Sequence, residues 1–175
     1  EGEYVVVNTC GFIADAKEES IEMLLDLAKL KQEGKIGKIV AMGCLTQRYR
    51  EELTTELPEI DIMLGKFDWG NFIDSLPDLK DTAKPKQWER ELTTPPHSAY
   101  LKISEGCNRF CAFCAIPLIT GRHTSRTIEE ILEETESLVA KGVKEFNVIA
   151  QDLSSYGIDI YGSHKLAELI DRMAG

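Results

Sequence analysis

The sequence predicts an α/β fold: an N-terminal parallel-sheet domain followed by the first βα units of a partial TIM-type barrel. Three observations carry this. Short β-branched runs alternate with segments of helical periodicity from Tyr4 to Leu76. A stretch rich in Lys, Thr and Pro interrupts them between about Pro77 and His97. The same alternation then restarts at Ala99. Such alternation implies parallel strands with helices on the sheet faces. The domains are therefore expected over residues 1–78 and 98–175, with a linker over 79–97.

Tyr4–Asn8 reads as the first strand, ended by the turn Thr9-Cys10-Gly11. Asp15 is expected to cap a helix, with Glu18 three residues on completing a capping box. Ile21, Leu24, Leu25 and Ala28 fall on one face of that helix, and Gly34 suits its end. Lys38–Met42 is the second strand, leading to Gly43-Cys44. Thr46 is expected to cap a helix carrying Tyr49, Leu53 and Leu57, stopped by Pro58. Ile60–Leu64 is the third strand, and Asp68 opens a short helix with Trp69, Phe72, Ile73 and Leu76. Beyond the linker, where Trp88 reads as a packing anchor, Ala99–Ile103 is a strand running into a cysteine cluster. Thr127 and Glu130 form a capping box for a helix whose apolar face is Ile128, Ile131, Leu132, Thr135 and Leu138. Gly142 ends it, Phe146–Ala150 reads as a fully buried strand, and Leu166, Leu169, Ile170 and Met173 begin another helix.

The charge is acidic, with 20 Lys and Arg against 30 Asp and Glu for a net −10. That weighs against this chain gripping a phosphate backbone unaided and suits a basic partner better. No apolar run approaches the roughly 20 residues that span a bilayer, and Glu1-Gly2-Glu3 opens no signal peptide, so a cytoplasmic location without membrane attachment is expected. The first residue is not Met and the final helical pattern stops abruptly at Gly175, so the chain reads as part of a longer one. Five cysteines in a reducing compartment argue for metal or redox chemistry over disulfides.

Cys107, Cys111 and Cys114 place three thiols in one short loop directly after a strand. In strand–loop–helix units, that edge of the sheet is where active sites sit. Three thiolates hold three corners of a four-iron cluster and leave the fourth iron open, whereas an electron-transfer cluster normally takes four cysteines. The competing reading is zinc, with His123 as a possible fourth ligand, although structural zinc usually takes its ligands in two separated pairs. Cys10 and Cys44 each follow a predicted parallel strand, one strand–helix–strand unit apart. Both thiols would project at one sheet edge, where neighbouring strands lie about 4.8 Å apart. From the residues alone, two small buried hydrophobes are the favoured reading.

The spacing C-x₃-C-x₂-C after a strand, with Phe113 immediately before the third Cys, resembles the radical S-adenosylmethionine enzymes. More narrowly, Lys102-Ile103-Ser104-Glu105-Gly106-Cys107, Ile116-Pro117, Gly121 and Ser125-Arg126 look like the methylthiotransferases. Asn8-Thr9-Cys10-Gly11-Phe12 and Met42-Gly43-Cys44-Leu45-Thr46-Gln47 match two of the three cysteine motifs in that family's N-terminal domain. The resemblance implies two [4Fe-4S] clusters. Cys107, Cys111 and Cys114 would hold the one that cleaves S-adenosylmethionine, and Cys10 and Cys44 would be ligands of the second. The first cysteine of that second set would precede Glu1.

Ala115-Ile116-Pro117, Ile149-Ala150-Gln151-Asp152, Tyr156-Gly157 and Thr94-Pro95-Pro96-His97 resemble the branch that modifies the β-carbon of an aspartate in small-subunit ribosomal protein twelve. The alternatives are the sister branch, which modifies a tRNA adenosine derivative, and a non-catalytic metal-binding module. The resemblance implies that Phe113 lies near the adenine, and it makes Gln151 and Asp152 candidates for contacting the methionyl amine. It also implies methylation of a sulfur at the second cluster, followed by hydrogen abstraction from the aspartate by a 5′-deoxyadenosyl radical. A flavodoxin-like or ferredoxin-like electron donor is expected as a partner. Arg109 either screens the cluster charge or is solvated, and the sequence does not choose. His97, His123 and His164 sit in loop contexts and are assigned no catalysis.

Overall fold

The computed structural model describes residues 2–66, 68, 70, 72–73 and 90–175. The chain forms two compact units, Glu1–Thr82 and Ala83–Gly175. Trp69, Leu76, Trp88 and most of the expected linker lie outside the described residues.

In the first unit, β1 (Gly2–Thr9), β2 (Ile36–Gly43) and β3 (Ile62–Leu64) make a parallel sheet in the order β1-β2-β3. The register pairs Thr9 with Gly43, so the strands end level and the loops that follow them start side by side. Helix α1 (Ala14–Gln32) crosses between β1 and β2. Its capping differs from expectation. The helix begins one residue before Asp15, Ile13 holds the N-cap position, and no side chain caps it, so Asp15 sits in the first turn beside the positive end of the helix dipole. The buried face is Ser20, Leu24 and Ala28, joined in one core by Val7, Ile39, Ala41, Leu45, Leu53 and Leu57. Burying a leucine such as Leu24 contributes roughly 1.5–3 kcal/mol. Ile21 and Leu25 are instead exposed, lining an apolar groove with Tyr49 and Leu53.

The single helix expected after β2 is two: α2 (Cys44–Arg48) and α3 (Arg50–Glu56), broken at Tyr49, whose φ −123° and ψ 33° are not helical. Thr46 lies inside α2 and not at its cap. Its Oγ1 donates to Leu64 O at 2.6 Å and ties the helix to β3. That bond outside the helix competes with the capping role the residue type suggests.

In the second unit, β4 (Ser98–Lys102) pairs in parallel with β7 (Glu145–Ile149), Lys102 opposite Ile149. Helix α5 (Ile128–Ala140) connects them on one face. The predicted capping box is present: Thr127 Oγ1 accepts from Glu130 N and Glu130 Oε2 accepts from Thr127 N. Ile128, Ile131 and Leu138 bury against Leu101, Ile103, Ala99 and Val143. Strand β7 is not fully buried. Phe146 and Val148 pack inward while Glu145, Asn147 and Ile149 are exposed, the period-2 alternation of a strand covered on one face only. After β7 come a short 3₁₀ turn (Leu153–Ser155), α6 (Ile158–Tyr161) and α7 (Leu166–Ala174), which seats Leu169 in the same core. The α/β class with parallel sheets is as the sequence predicts.

Candidate metal and cofactor site

The cysteine loop is built from its base outward. Strand β4 runs through Ile103 into the two-residue β5 (Ser104–Glu105), which pairs antiparallel with β6 (Thr124–Ser125). That ladder closes residues 106–123 into a loop, which also contains α4 (Ile116–Thr120), anchored by buried Ile119. Cys107 N donates to Gly121 O at 3.3 Å, and His123 N donates to Asn108 Oδ1 at 3.0 Å. Gly106 makes the closure sterically feasible. Its φ is +76°, and a Cβ there would stand 2.2 Å from Arg122 O, so only glycine fits.

Above this base the loop opens to solvent. Cys107 is buried, Cys114 is half-buried and Cys111 is exposed. Cys114 N donates to Cys111 O at 3.0 Å, which turns the chain between the last two thiols. Phe110 adopts φ +48°, an uncommon conformation outside glycine. Phe113 is 94% exposed, a whole aromatic ring turned to solvent. Among the described residues, no three His, Cys, Asp or Glu side chains converge as a metal site, the three thiols of this loop included.

Parallel pairing of β4 with β7 brings residues 151–155 to the same edge as the loop. Gln151 Nε2 donates to Glu105 Oε1, and Lys102 Nζ donates to the other oxygen of that carboxylate. Gln151 Oε1 is buried and has no hydrogen-bond partner. An orphaned buried carbonyl is costly, on the order of 1–3 kcal/mol, and marks a place where a donor is missing. Asp152 is buried, and both its oxygens are engaged. Arg109 Nε donates to Oδ2 at 2.9 Å, Ser155 Oγ to Oδ2 at 2.8 Å, and Ser154 Oγ to Oδ1 at 2.7 Å. Burial alone would push this carboxyl up; the Arg109 guanidinium and the two serine hydroxyls outweigh it and hold it well below the usual carboxylate range. Asp152 thus meets the cysteine loop through Arg109.

His123 turns inward. Its Nε2 lies 3.1 Å from Ser125 Oγ, which donates to Asp159 Oδ1 at 2.6 Å. Its other ring nitrogen, Nδ1, is buried and has no hydrogen-bond partner. His97 O accepts from Lys144 N and Glu145 N, away from these groups, whereas His164 Nδ1 lies 2.6 Å from the backbone O of Ser154.

In the first unit, Cys10 and Cys44 follow the paired residues Thr9 and Gly43 at one end of β1 and β2. Both are half-buried. Cys10 N donates to Ser20 Oγ at 3.0 Å. A Cβ on Gly11 would stand 2.7 Å from Cys44 O, which shows how closely the two loops touch.

Residues 1–65 match the uncharacterized protein family UPF0004 and residues 101–172 match the Radical SAM superfamily. A Phocaeicola vulgatus protein named ribosomal protein uS12 methylthiotransferase RimO is 56% identical over 175 residues, covering 99% of this chain and 40% of that relative. Proteins of the same name from Bacteroides thetaiotaomicron (99% of this chain, 39% of the relative) and Chlorobium phaeobacteroides (the same shares) are 55% and 46% identical. Over nearly its whole length the chain is similar to radical SAM methylthiotransferases. It spans about two fifths of the length of these relatives.

For a radical SAM methylthiotransferase, S-adenosylmethionine and iron–sulfur chemistry follow from the family. The donor types suit that group, with three thiols on one loop and an unpaired buried carbonyl at the same sheet edge, while the thiols themselves do not converge in this structure. The residues that sequence reasoning left open or missed are Arg109, Asn108, Glu105 and the Ser154-Ser155 pair. Serines two and three residues after an aspartate are a local hydrogen-bonding signal that could have been read; the Arg109 contact, 43 residues distant in sequence, could not.

Among the described residues, no helix is long and apolar enough to cross a membrane.

Proposed function

We propose that the protein to which this chain belongs methylthiolates the β-carbon of an aspartate in small-subunit ribosomal protein twelve. The observation that carries the chemistry is the three-thiol loop, clamped at its base by β5 and β6 and lying at the same sheet edge as the orphaned Gln151 carbonyl. The names of the relatives support the substrate.

Residues 1–78 are assigned as the methylthiotransferase domain, 79–97 as the linker and 98–175 as the start of the radical domain. Cys107, Cys111 and Cys114 would hold one [4Fe-4S] cluster, and Cys10 and Cys44 would contribute to a second. When bound, these groups and S-adenosylmethionine supply the deoxyadenosyl radical and the sulfur. The chain's own residues bind and orient. Gln151 Oε1 accepts from the methionyl ammonium, a charged donor that would satisfy the orphaned atom. Phe113 offers its exposed ring to the adenine. Asp152 acts on this site through Arg109. The net charge of −10 favours a basic protein substrate over RNA. A small flavin or iron–sulfur protein is the electron donor, and the reaction belongs in the cytoplasm.

The test compares masses of ribosomal proteins and tRNA nucleosides from cells with and without the intact gene. Loss of a methylthio mass from the ribosomal protein is expected. Loss from a tRNA nucleoside would move the substrate to the sister branch, and no loss from either would overturn the assignment. Within the intact enzyme, Cys10→Ala and Cys44→Ala are expected to spare 5′-deoxyadenosine formation and abolish the methylthio product. Equal loss of both would overturn the two-cluster division.

A further inference from the structure

We propose that Arg109 and Asp152 form a latch that fixes the cysteine loop to the segment after β7 and holds a positive charge beside the thiolates, where it sets the potential of a cluster bound there. The inference rests on the cluster assignment to Cys107, Cys111 and Cys114 made above.

Arg109 lies in sequence between the first two thiols, two residues from each. Its guanidinium leaves the loop and grips Asp152: Nε to Oδ2 at 2.9 Å, Nη2 to Oδ1 at 3.4 Å, and Nη2 to Ser154 Oγ at 2.7 Å. The two-pronged geometry is specific to arginine, since lysine presents a single point charge. The two partners differ in environment. The Asp152 side chain is 7% exposed and the Arg109 side chain 61%. An exposed ion pair is worth little, but here the carboxylate is buried and is also held by two serine hydroxyls. Removing the cation would leave a buried, uncompensated charge, which is the costly case. The carboxylate, not the arginine, is the fixed post of the latch.

The electrostatic consequence follows from position. Arg109 stands two residues from Cys107 and two from Cys111, so a guanidinium held on Asp152 keeps a positive charge at the segment that carries these thiols. A cluster held by three thiolates gains one more negative charge on one-electron reduction. A fixed cation nearby stabilises the reduced form and raises the potential. Asp152 has the opposite sign and would lower it if it acted as a charge alone. The latch reverses that expectation, because loss of Asp152 frees Arg109.

Two measurements on the full chain test this. In the cluster-free protein, hydrogen exchange of the amides of residues 107–114 is expected to speed up at least tenfold in both Arg109→Gln and Asp152→Asn, with amides of α5 unchanged. Equal rates in variants and wild type would overturn the latch. After anaerobic reconstitution with iron and sulfide, the midpoint potential is read by electron paramagnetic resonance during titration with dithionite, without S-adenosylmethionine. Arg109→Gln is expected to shift it to more negative values by about a tenfold change in oxidised-to-reduced ratio, 59 mV for one electron. Arg109→Lys should recover part of that shift but not the slow exchange. Asp152→Asn should also shift it negative. An unchanged or more positive potential in Asp152→Asn would overturn the inference, because the carboxylate would then act as a charge and not as a post. A wild-type chain that takes up no iron would overturn the cluster assignment itself, and with it the electrostatic half of the proposal; the exchange result then judges the latch alone.

Discussion

Gly106 and Asp159 show how single residues hold the cysteine loop in place. Gly106→Ala must place a Cβ against Arg122 O, and its backbone lies in a region that alanine avoids. The expected outcome is a loss of about 1–3 kcal/mol of stability and a larger proportional loss of bound iron, read by thermal unfolding and metal analysis. Asp159 acts from the other side of the loop base, accepting from Ser125 N at 2.7 Å and from Ser125 Oγ at 2.6 Å. Burial opposes its charge, but the Ser125 donors, with His123 nearby, hold it below the ordinary carboxylate value. A depressed carboxylate contributes stability above its unfolded value, about 3.9, and loses it as the pH falls through the folded value. The stability gap between wild type and Asp159→Asn should therefore be full at neutral pH and shrink below about pH 4 in denaturant titrations. A gap that stays constant down to pH 3 would contradict this account of the network.

At the scale of elements, the sequence was most legible where local chemistry decides the outcome. Thr127 and Glu130 form the capping box that their spacing announces, and Thr127→Ala is expected to cost about 1 kcal/mol in equilibrium unfolding. Ile131, fully buried on the same helix, should cost about 2–5 kcal/mol when cut to alanine. Where tertiary contacts compete, the pattern misled. Thr46 looked like a cap but spends its hydroxyl on Leu64 O, and the helix around it breaks at Tyr49. Ile21 and Leu25 carry helical periodicity yet line a groove, because periodicity marks an apolar face and does not say what covers it. The apolar run Phe146–Ala150 suggested burial on both faces, whereas β7 alternates. The placement of Cys10 beside Cys44 and of Gln151 beside the cysteine loop was legible, since both follow from parallel strands ending level. The Arg109–Asp152 pair was not, because no local pattern links residues so far apart in sequence.

Across the whole molecule, each of the two units carries its own core and its own cysteines at the edge of a parallel sheet. A cluster that binds only the folded loop must stabilise that fold by mass action. Chelation of iron from the reconstituted chain is thus expected to lower its melting temperature, and Cys111→Ala to abolish the difference. The central claim is that three thiols hold a cluster with one iron open to S-adenosylmethionine. The most direct measurement is the electron paramagnetic resonance spectrum of the reduced, reconstituted chain, recorded with and without S-adenosylmethionine. The account predicts a four-iron signal from the Cys107, Cys111 and Cys114 site whose g-values change when the cofactor is added. A signal from that site indifferent to the cofactor, or zinc in place of iron, would contradict it.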